Sequence, residues 1–181
     1  MSNFRAAERY ATAALSVSEE MKTVDEVSSD FGFIETMLRD VADFRLFLKS
    51  PVVNKETKAR ILAQLLRGKV SLFTEKFILL LSSKGREGLL PEIIRQFYDL
   101  RDKQRGIIHV VTRTAVKFSD DQHRTLVRQI EAATKKQARI DYVIDPTLKG
   151  GFIVQHADTV WDASVRHQLN ILRQRIAEGG S

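Results

Sequence analysis

The 181-residue sequence contains no cysteine. Disulfides, thiolate zinc sites and thiol nucleophiles are therefore excluded together. Long apolar runs are missing as well. The longest unbroken stretch is Phe77 to Leu81, against the roughly 20 residues that a membrane-spanning helix needs. The start, Met-Ser-Asn-Phe-Arg, enters an alternation of polar and apolar residues at once. It has neither the apolar core of a signal peptide nor the Arg/Ser-rich, acid-poor character of an organellar presequence, so a cytosolic-side protein is expected. Only three prolines and nine glycines are present, so each one that falls between periodic segments carries information about a turn. With 43% hydrophobic residues the chain has material for one large or two small cores.

Positive charge is in excess, at +6 with a pI near 9.7, which raises nucleic acid or an acidic partner. The excess is thinly spread: residues 1–105 carry 18 Lys/Arg and 15 Asp/Glu, residues 106–181 carry 11 and 8, so each part is +3. Acids gather between Glu19 and Asp43 and bases between Lys49 and Lys69. Such runs read as solvated helix faces and receive no functional assignment.

The first 105 residues read as helices throughout. Phe4, Ala7, Ala11, Ala14 and Leu15 share one side of a helix begun by Asn3, with Tyr10 and Val17 beside that stripe. The alanines permit close packing against neighbouring helices or form part of a groove for a partner's helix. From Thr23 to about Leu48, apolar residues recur every three or four positions, as in one long helix or two joined end to end. Ser50-Pro51 breaks that pattern, and Asn54 can cap a helix bearing Ile61, Leu62, Leu65 and Leu66. The next helix starts near Ser71. Phe73, Phe77, Ile78, Leu79, Leu80 and Leu81 make it apolar on nearly every side, which predicts a central place in a bundle. Pro91 suits the first turn of a sixth helix ending around Gly106.

After Gly106 the pattern changes. Ile107 to Thr112 is strand-forming and rich in β-branched residues, so a domain boundary is predicted near residue 105. Ser119 and Gln122 fit a capping box for a helix that buries Leu126, Val127 and Ile130. Arg139 to Asp145 reads as a second strand, and Asp145-Pro146 as a turn. Gly150-Gly151 frees the backbone before a strand from Phe152 to Gln155. Ala157-Asp158-Thr159 reads as a reversal, Val160-Trp161 as the return strand, and Asp162 or Ser164 as the cap of a final helix. Along that helix Val165, Leu169, Leu172 and Ile176 form a seam, flanked by Arg166, His167, Arg173 and Arg175. The seam is expected to face the core of its own domain, the alternative being a surface for an acidic helical partner. The fold class is thus mainly α: an N-terminal six-helix bundle (1–105) followed by a small α+β domain (106–181).

Chemistry is hard to place on this chain. Lys149-Gly150-Gly151 lacks the glycine spacing and Lys-Ser/Thr ending of a phosphate loop. His156, Asp158, Asp162 and His167 lie within twelve residues, but their strand, cap and helix positions do not converge on a metal ion. His109 and His123 have no serine arranged beside them as a nucleophile. No catalytic residue, cofactor site or metal site is assigned.

The last 32 residues nevertheless carry a specific pattern: Gly150-Gly151, a strand, Ala157-Asp158, Val160-Trp161, Asp162-Ala163-Ser164-Val165-Arg166, then Leu169 and Leu172. Arg9-Tyr10-Ala11 with Ala13-Ala14-Leu15, Ser50-Pro51 and Lys84-Gly85-Arg86 leading to Leu90-Pro91 extend it over essentially the whole chain. The sequence resembles the δ subunit of the F-type ATP synthase, related to the mitochondrial oligomycin-sensitivity-conferring protein. Ala157 stands where that family commonly has glycine. The resemblance implies a non-catalytic stator subunit without cofactors, which joins the catalytic F1 head to the peripheral stalk and resists rotor torque during proton-driven ATP synthesis. Its N-terminal bundle would bind the N-terminal helix of an α subunit between the first and fifth helices, through Ala7, Tyr10, Ala11, Ala14, Phe73 and Phe77. Its C-terminal domain would engage the C-terminal ends of the b subunits through Val165, Leu169, Leu172 and Arg173. It would sit at the cytoplasmic face of a bacterial inner membrane without spanning it. The contrasting reading, from net charge alone, is a basic nucleic-acid-binding α+β protein.

Overall fold

The computed structural model describes residues 2–50, 52–156 and 159–178. Pro51 and the Ala157-Asp158 part of the expected reversal lie outside the described residues. The chain is mainly helical with a small four-stranded sheet, and it divides into two compact units, Met1–Arg101 and Asp102–Ser181.

In the first unit α1 (Ser2–Glu20), α2 (Val24–Asp40), α3 (Ala42–Lys49), α4 (Lys55–Leu66), α5 (Leu72–Ser83) and α6 (Leu90–Gln104) follow one another, the last turn of α6 falling in the second unit. Local chemistry sets their ends. Asn54 Oδ1 accepts from the Thr57 N–H at 2.8 Å and Ser71 Oγ from the Thr74 N–H at 3.3 Å, each relieving an orphan donor in a first turn. Between α2 and α3 the backbone is extended at Val41. The carbonyls freed there at Leu38 and Arg39 accept from the Arg45 guanidinium at 2.5 and 2.7 Å.

One apolar cluster fills this unit, with Phe31 and Ile34 of α2, Leu62 and Leu66 of α4, Ile78 and Leu81 of α5 and Ile93 and Phe97 of α6 all fully buried. Phe31 and Phe97 meet edge to face, centroids 4.9 Å apart. Each fully buried large side chain of this kind contributes about 1.5–3 kcal/mol. The central position expected for α5 is corrected: Phe77, Ile78 and Leu81 are buried, whereas Leu72 and Leu80 are 66% and 48% exposed. Apolar residues all round a helix describe what it can bury, not whether a neighbour covers every side. Polar ties reinforce the packing. Asp30 of α2 accepts from the N–H and hydroxyl of Ser71, at 2.9 and 2.6 Å, and so anchors the entry to α5.

The second unit contains β1 (Ile107–Thr114), α7 (Asp120–Thr134), β2 (Gln137–Ile144), β3 (Phe152–His156), β4 (Thr159–Asp162) and α8 (Val165–Glu178). The sheet order is β2-β1-β3-β4. β1 and β2 run parallel, Ile107 opposite Gln137 through Thr114 opposite Ile144, so α7 is the crossover that a parallel pair requires. β3 runs antiparallel to β1, and β4 antiparallel to β3. Leu126 and Ile130 of α7 bury against Ile108 and Val110 of β1 and Val154 of β3. Burial alternates strictly along β1 from Ile108 to Thr114, as a strand covered on one side demands. The capping box is formed as the spacing predicts: Ser119 Oγ accepts from the Gln122 N–H, and Gln122 Oε1 from the Ser119 N–H.

The two glycines before β3 have a packing role. Gly151 adopts φ +74°, and a Cβ placed there would collide with the Ala163 carbonyl oxygen. A Cβ on Gly150 would come within 2.8 Å of Val165 Cγ2. The closeness is held by two backbone bonds, Val165 N–H to Gly150 O at 3.0 Å and Ala163 N–H to Phe152 O at 2.9 Å. The start of α8 is thereby fixed against the start of β3.

Candidate functional site

Among the described residues each unit presents an unfilled apolar surface. On the first unit a groove of about 540 Å³ runs between α1 and α5. Tyr10, Ala13, Ala14 and Val17 line it from α1, Met21 from the turn just after it, and Leu72, Phe73, Lys76, Phe77 and Leu80 from α5. The positions on the α1 side recur every three or four residues from Tyr10 to Met21, about three helical turns or roughly 16 Å. Phe73 and Phe77 stack with centroids 6.2 Å apart and planes 14° apart, giving the α5 side a flat aromatic surface. Arg9 lies over the Tyr10 ring at 5.8 Å and screens one face of it.

Of the residues expected at an α1/α5 surface, Tyr10, Ala14, Phe73 and Phe77 line the groove. Ala7 and Ala11 do not: both are 0% exposed and belong to the internal cluster. Ala13, Val17, Met21, Leu72 and Leu80 line the groove too, although the sequence does not assign them to a partner surface. For Ala13 and Val17 the signal is a second stripe on α1, one residue displaced from the alanine stripe; for Leu72 and Leu80 it is the all-round apolar character of α5.

On the second unit, α8 carries the other surface. Ser164 Oγ accepts from the His167 N–H at 3.2 Å and is the helix cap, while Asp162 Oδ1 accepts from the Ser164 N–H at 2.9 Å, so the two expected alternatives act in series. Val165, Leu169, Leu172 and Ile176 are 37%, 44%, 54% and 69% exposed. The core-facing reading of this seam is thereby corrected, because each of its four side chains is more than a third exposed and none belongs to the apolar cluster of this unit. Only Ile171 is half-buried between Arg166 and Ile176. Arg166, Arg173 and Arg175 are exposed beside the seam.

Three of the four histidines have a polar partner for a ring nitrogen. His109 Nε2 lies 2.6 Å from Oδ2 of the buried Asp102, with Arg139 Nη1 4.0 Å from the same oxygen. His156 Nδ1 is 2.9 Å from His109 O, and His123 Nδ1 is 2.8 Å from the Tyr142 hydroxyl. Among the described residues no three His, Cys, Asp or Glu side chains gather as metal ligands, and Asp158 of the weighed set lies outside them. No helix among the described residues is long and apolar enough to cross a membrane.

The described residues thus expose an apolar groove on one unit and an apolar seam on the other. The family model described as the ATP synthase delta (OSCP) subunit matches residues 6–176. The chain belongs to that family, and as such it is a non-catalytic, stator-type subunit of an F-type ATP synthase. It is 39% identical over 171 residues to the ATP synthase subunit delta of Chloroherpeton thalassium, across 94% of this chain and 93% of that one. It is 37% identical over 176 residues to the protein of the same name from Chlorobaculum tepidum, across 97% of both. Its fold is similar to that of a chain in the cryo-EM structure of the Toxoplasma gondii mitochondrial ATP synthase hexamer, with a TM-score of 0.70 at 22% identity over 94% of this chain and 97% of that one. The nucleic-acid alternative is not favoured by this membership.

Proposed function

We propose that the chain joins the catalytic F1 head of its ATP synthase to the peripheral stalk and holds the head against rotor torque during proton-driven ATP synthesis. On this reading residues 1–105 act as a six-helix bundle that receives the N-terminal helix of an α subunit, and residues 106–181 form the α+β domain that engages the C-terminal ends of the b subunits. The protein works at the cytoplasmic face of the bacterial inner membrane as a peripheral component, and catalysis and proton passage belong to other subunits.

The observation that carries the reading is the α1/α5 groove. It is three turns long, apolar, and bounded by Leu72 and Met21, which are 66% and 55% exposed. An amphipathic helix offering apolar side chains at i, i+3/i+4 and i+7 fits such a groove and removes those side chains from water. Tyr10, Ala14, Phe73 and Phe77 are the contacts proposed there. Ala7 and Ala11 contribute by letting α1 approach the core closely. On the second unit Val165, Leu169 and Leu172 supply the buried part of the stalk contact and Arg173 its charged edge.

Calorimetry with the full chain and a synthetic peptide copying the α N-terminal segment tests the first contact. Ala13 is exposed on the groove wall, so Ala13→Arg fills it without touching the core. Saturable binding by the parent and its loss in Ala13→Arg are expected. Equal binding by both proteins would remove the groove from the mechanism.

A further inference from the structure

The groove wall contains a single formally charged side chain. Lys76 stands among Leu72, Phe73, Phe77 and Leu80 on α5, facing a wall of tyrosine, alanine and valine on α1 and the methionine that follows it. It is exposed, and no carboxylate pairs with it among the described residues. Several other cations of this unit are differently placed: Arg39 pairs with Asp40, Arg95 with Glu92, and Lys58 with Glu87.

A helix laid in the groove covers the stem of Lys76 and strips water from its ammonium. The stem can lie along the apolar wall, but the charge must end either in water or against an anion. Resting on the reading that the groove receives the α-subunit helix, we propose that Lys76 is a specificity-determining residue: it pairs with one carboxylate that borders the apolar stripe of that helix and so fixes its register in the groove. Apolar contacts alone let an amphipathic helix slide by a turn or reverse, because one leucine or alanine replaces another at little cost. One charge pair at a fixed height biases the helix toward one register, since in every other register the ammonium has no anion beside it.

The test uses the full chain and a synthetic peptide copying the α-subunit N-terminal segment, with a series in which each Asp or Glu is replaced singly by its amide. Calorimetry is run on the parent, Lys76→Met, which keeps the apolar stem, and Lys76→Glu, with far-UV circular dichroism confirming that the variants are folded. One peptide of the series is expected to bind the parent about five-fold more weakly, as for a pair at a partly wet rim. The same peptide should show no such loss on Lys76→Met. Replacing that acid by lysine should restore binding to Lys76→Glu. If the unmodified peptide binds but every amide substitution acts equally on parent and Lys76→Met, the register role is overturned while the groove stands. If the unmodified peptide fails to bind the parent, the groove reading falls and the role of Lys76 with it.

Discussion

Lys58 Nζ and Glu87 Oε1 are 2.6 Å apart, each side chain only 6% exposed, and together they join α4 to the 3-10 turn Glu87–Leu89 ahead of α6. Lys58 also donates to Leu48 O at 3.1 Å at the end of α3, so one ammonium ties three elements together. Breaking a buried pair from one side leaves the other charge without compensation, at a cost of about 3–5 kcal/mol. Lys58→Met and Glu87→Leu are each expected to lower stability by that order in urea unfolding. The double variant should lose less than the sum of the two, and additive losses would show that the pair is not coupled.

The glycines at the foot of α8 predict a second result. Gly151→Ala forces a side chain into a left-handed backbone and onto the Ala163 carbonyl, so a loss of at least about 1–3 kcal/mol is expected. Gly150→Ala instead meets the Val165 side chain, which Val165→Ala removes. Thermal melts of the second unit followed through Trp161 should therefore show partial rescue of Gly150→Ala by Val165→Ala, the +159° φ of Gly150 keeping some strain, and no rescue of Gly151→Ala.

Acid response can be assigned at one turn. The Thr147 hydroxyl donates to Asp145 Oδ1 at 2.6 Å and the Thr147 N–H to the same oxygen at 3.0 Å. These bonds, hydroxyl first, hold the Asp145 carboxyl below the usual carboxylate range, with Arg113 and Arg166 assisting. A carboxyl depressed in the folded state contributes its stability above the ordinary carboxylate pKa and loses it as pH falls through the depressed value. Thr147→Ala should raise the Asp145 titration midpoint in carboxyl-detected NMR, and an unmoved midpoint would shift the cause to the arginines.

The exposed seam of α8 separates folding from assembly. Leu172 is 54% exposed, so Leu172→Asp should change the stability of the isolated chain by no more than about 0.5 kcal/mol. If the stalk contact proposed above is correct, the same variant should fail to retain the b subunits on co-purification. Retention at the parental level would place that contact elsewhere.

Legibility differed by the range of the interaction concerned. Caps at Asn54 and Ser119 bond within three residues, so the sequence alone identifies them and the structure forms them; Ser71, read only as a helix start, caps α5 in the same way. Gly150-Gly151 was readable as punctuation, but the Val165 and Ala163 atoms that require it are supplied by a segment folded back from later in the chain. The parallel pairing of β1 with β2, and the place of β3 on the other side of β1, depend on pairings between distant segments that no local pattern encodes. Apolar periodicity gave α1, α5 and α8 their faces without saying what covers them. Hence Ala7 and Ala11 lie inside, Leu72 and Leu80 lie outside, and Val165 to Ile176 is uncovered. The groove joins Tyr10 to Phe77 across 67 positions, and it became a surface only when two half-covered helices met.

The place of β1 in the sheet bears on how the second unit carries load. The chain enters this unit from α6 and passes directly into β1, which is bonded to β2 over eight residues on one side and to β3 over four on the other. Tension arriving along α6 therefore pulls on an interior strand, which cannot peel away one bond at a time as an edge strand can. Pairing on both flanks must fail before the strand yields, so the first rupture under force is expected elsewhere, at the short edge strand β4.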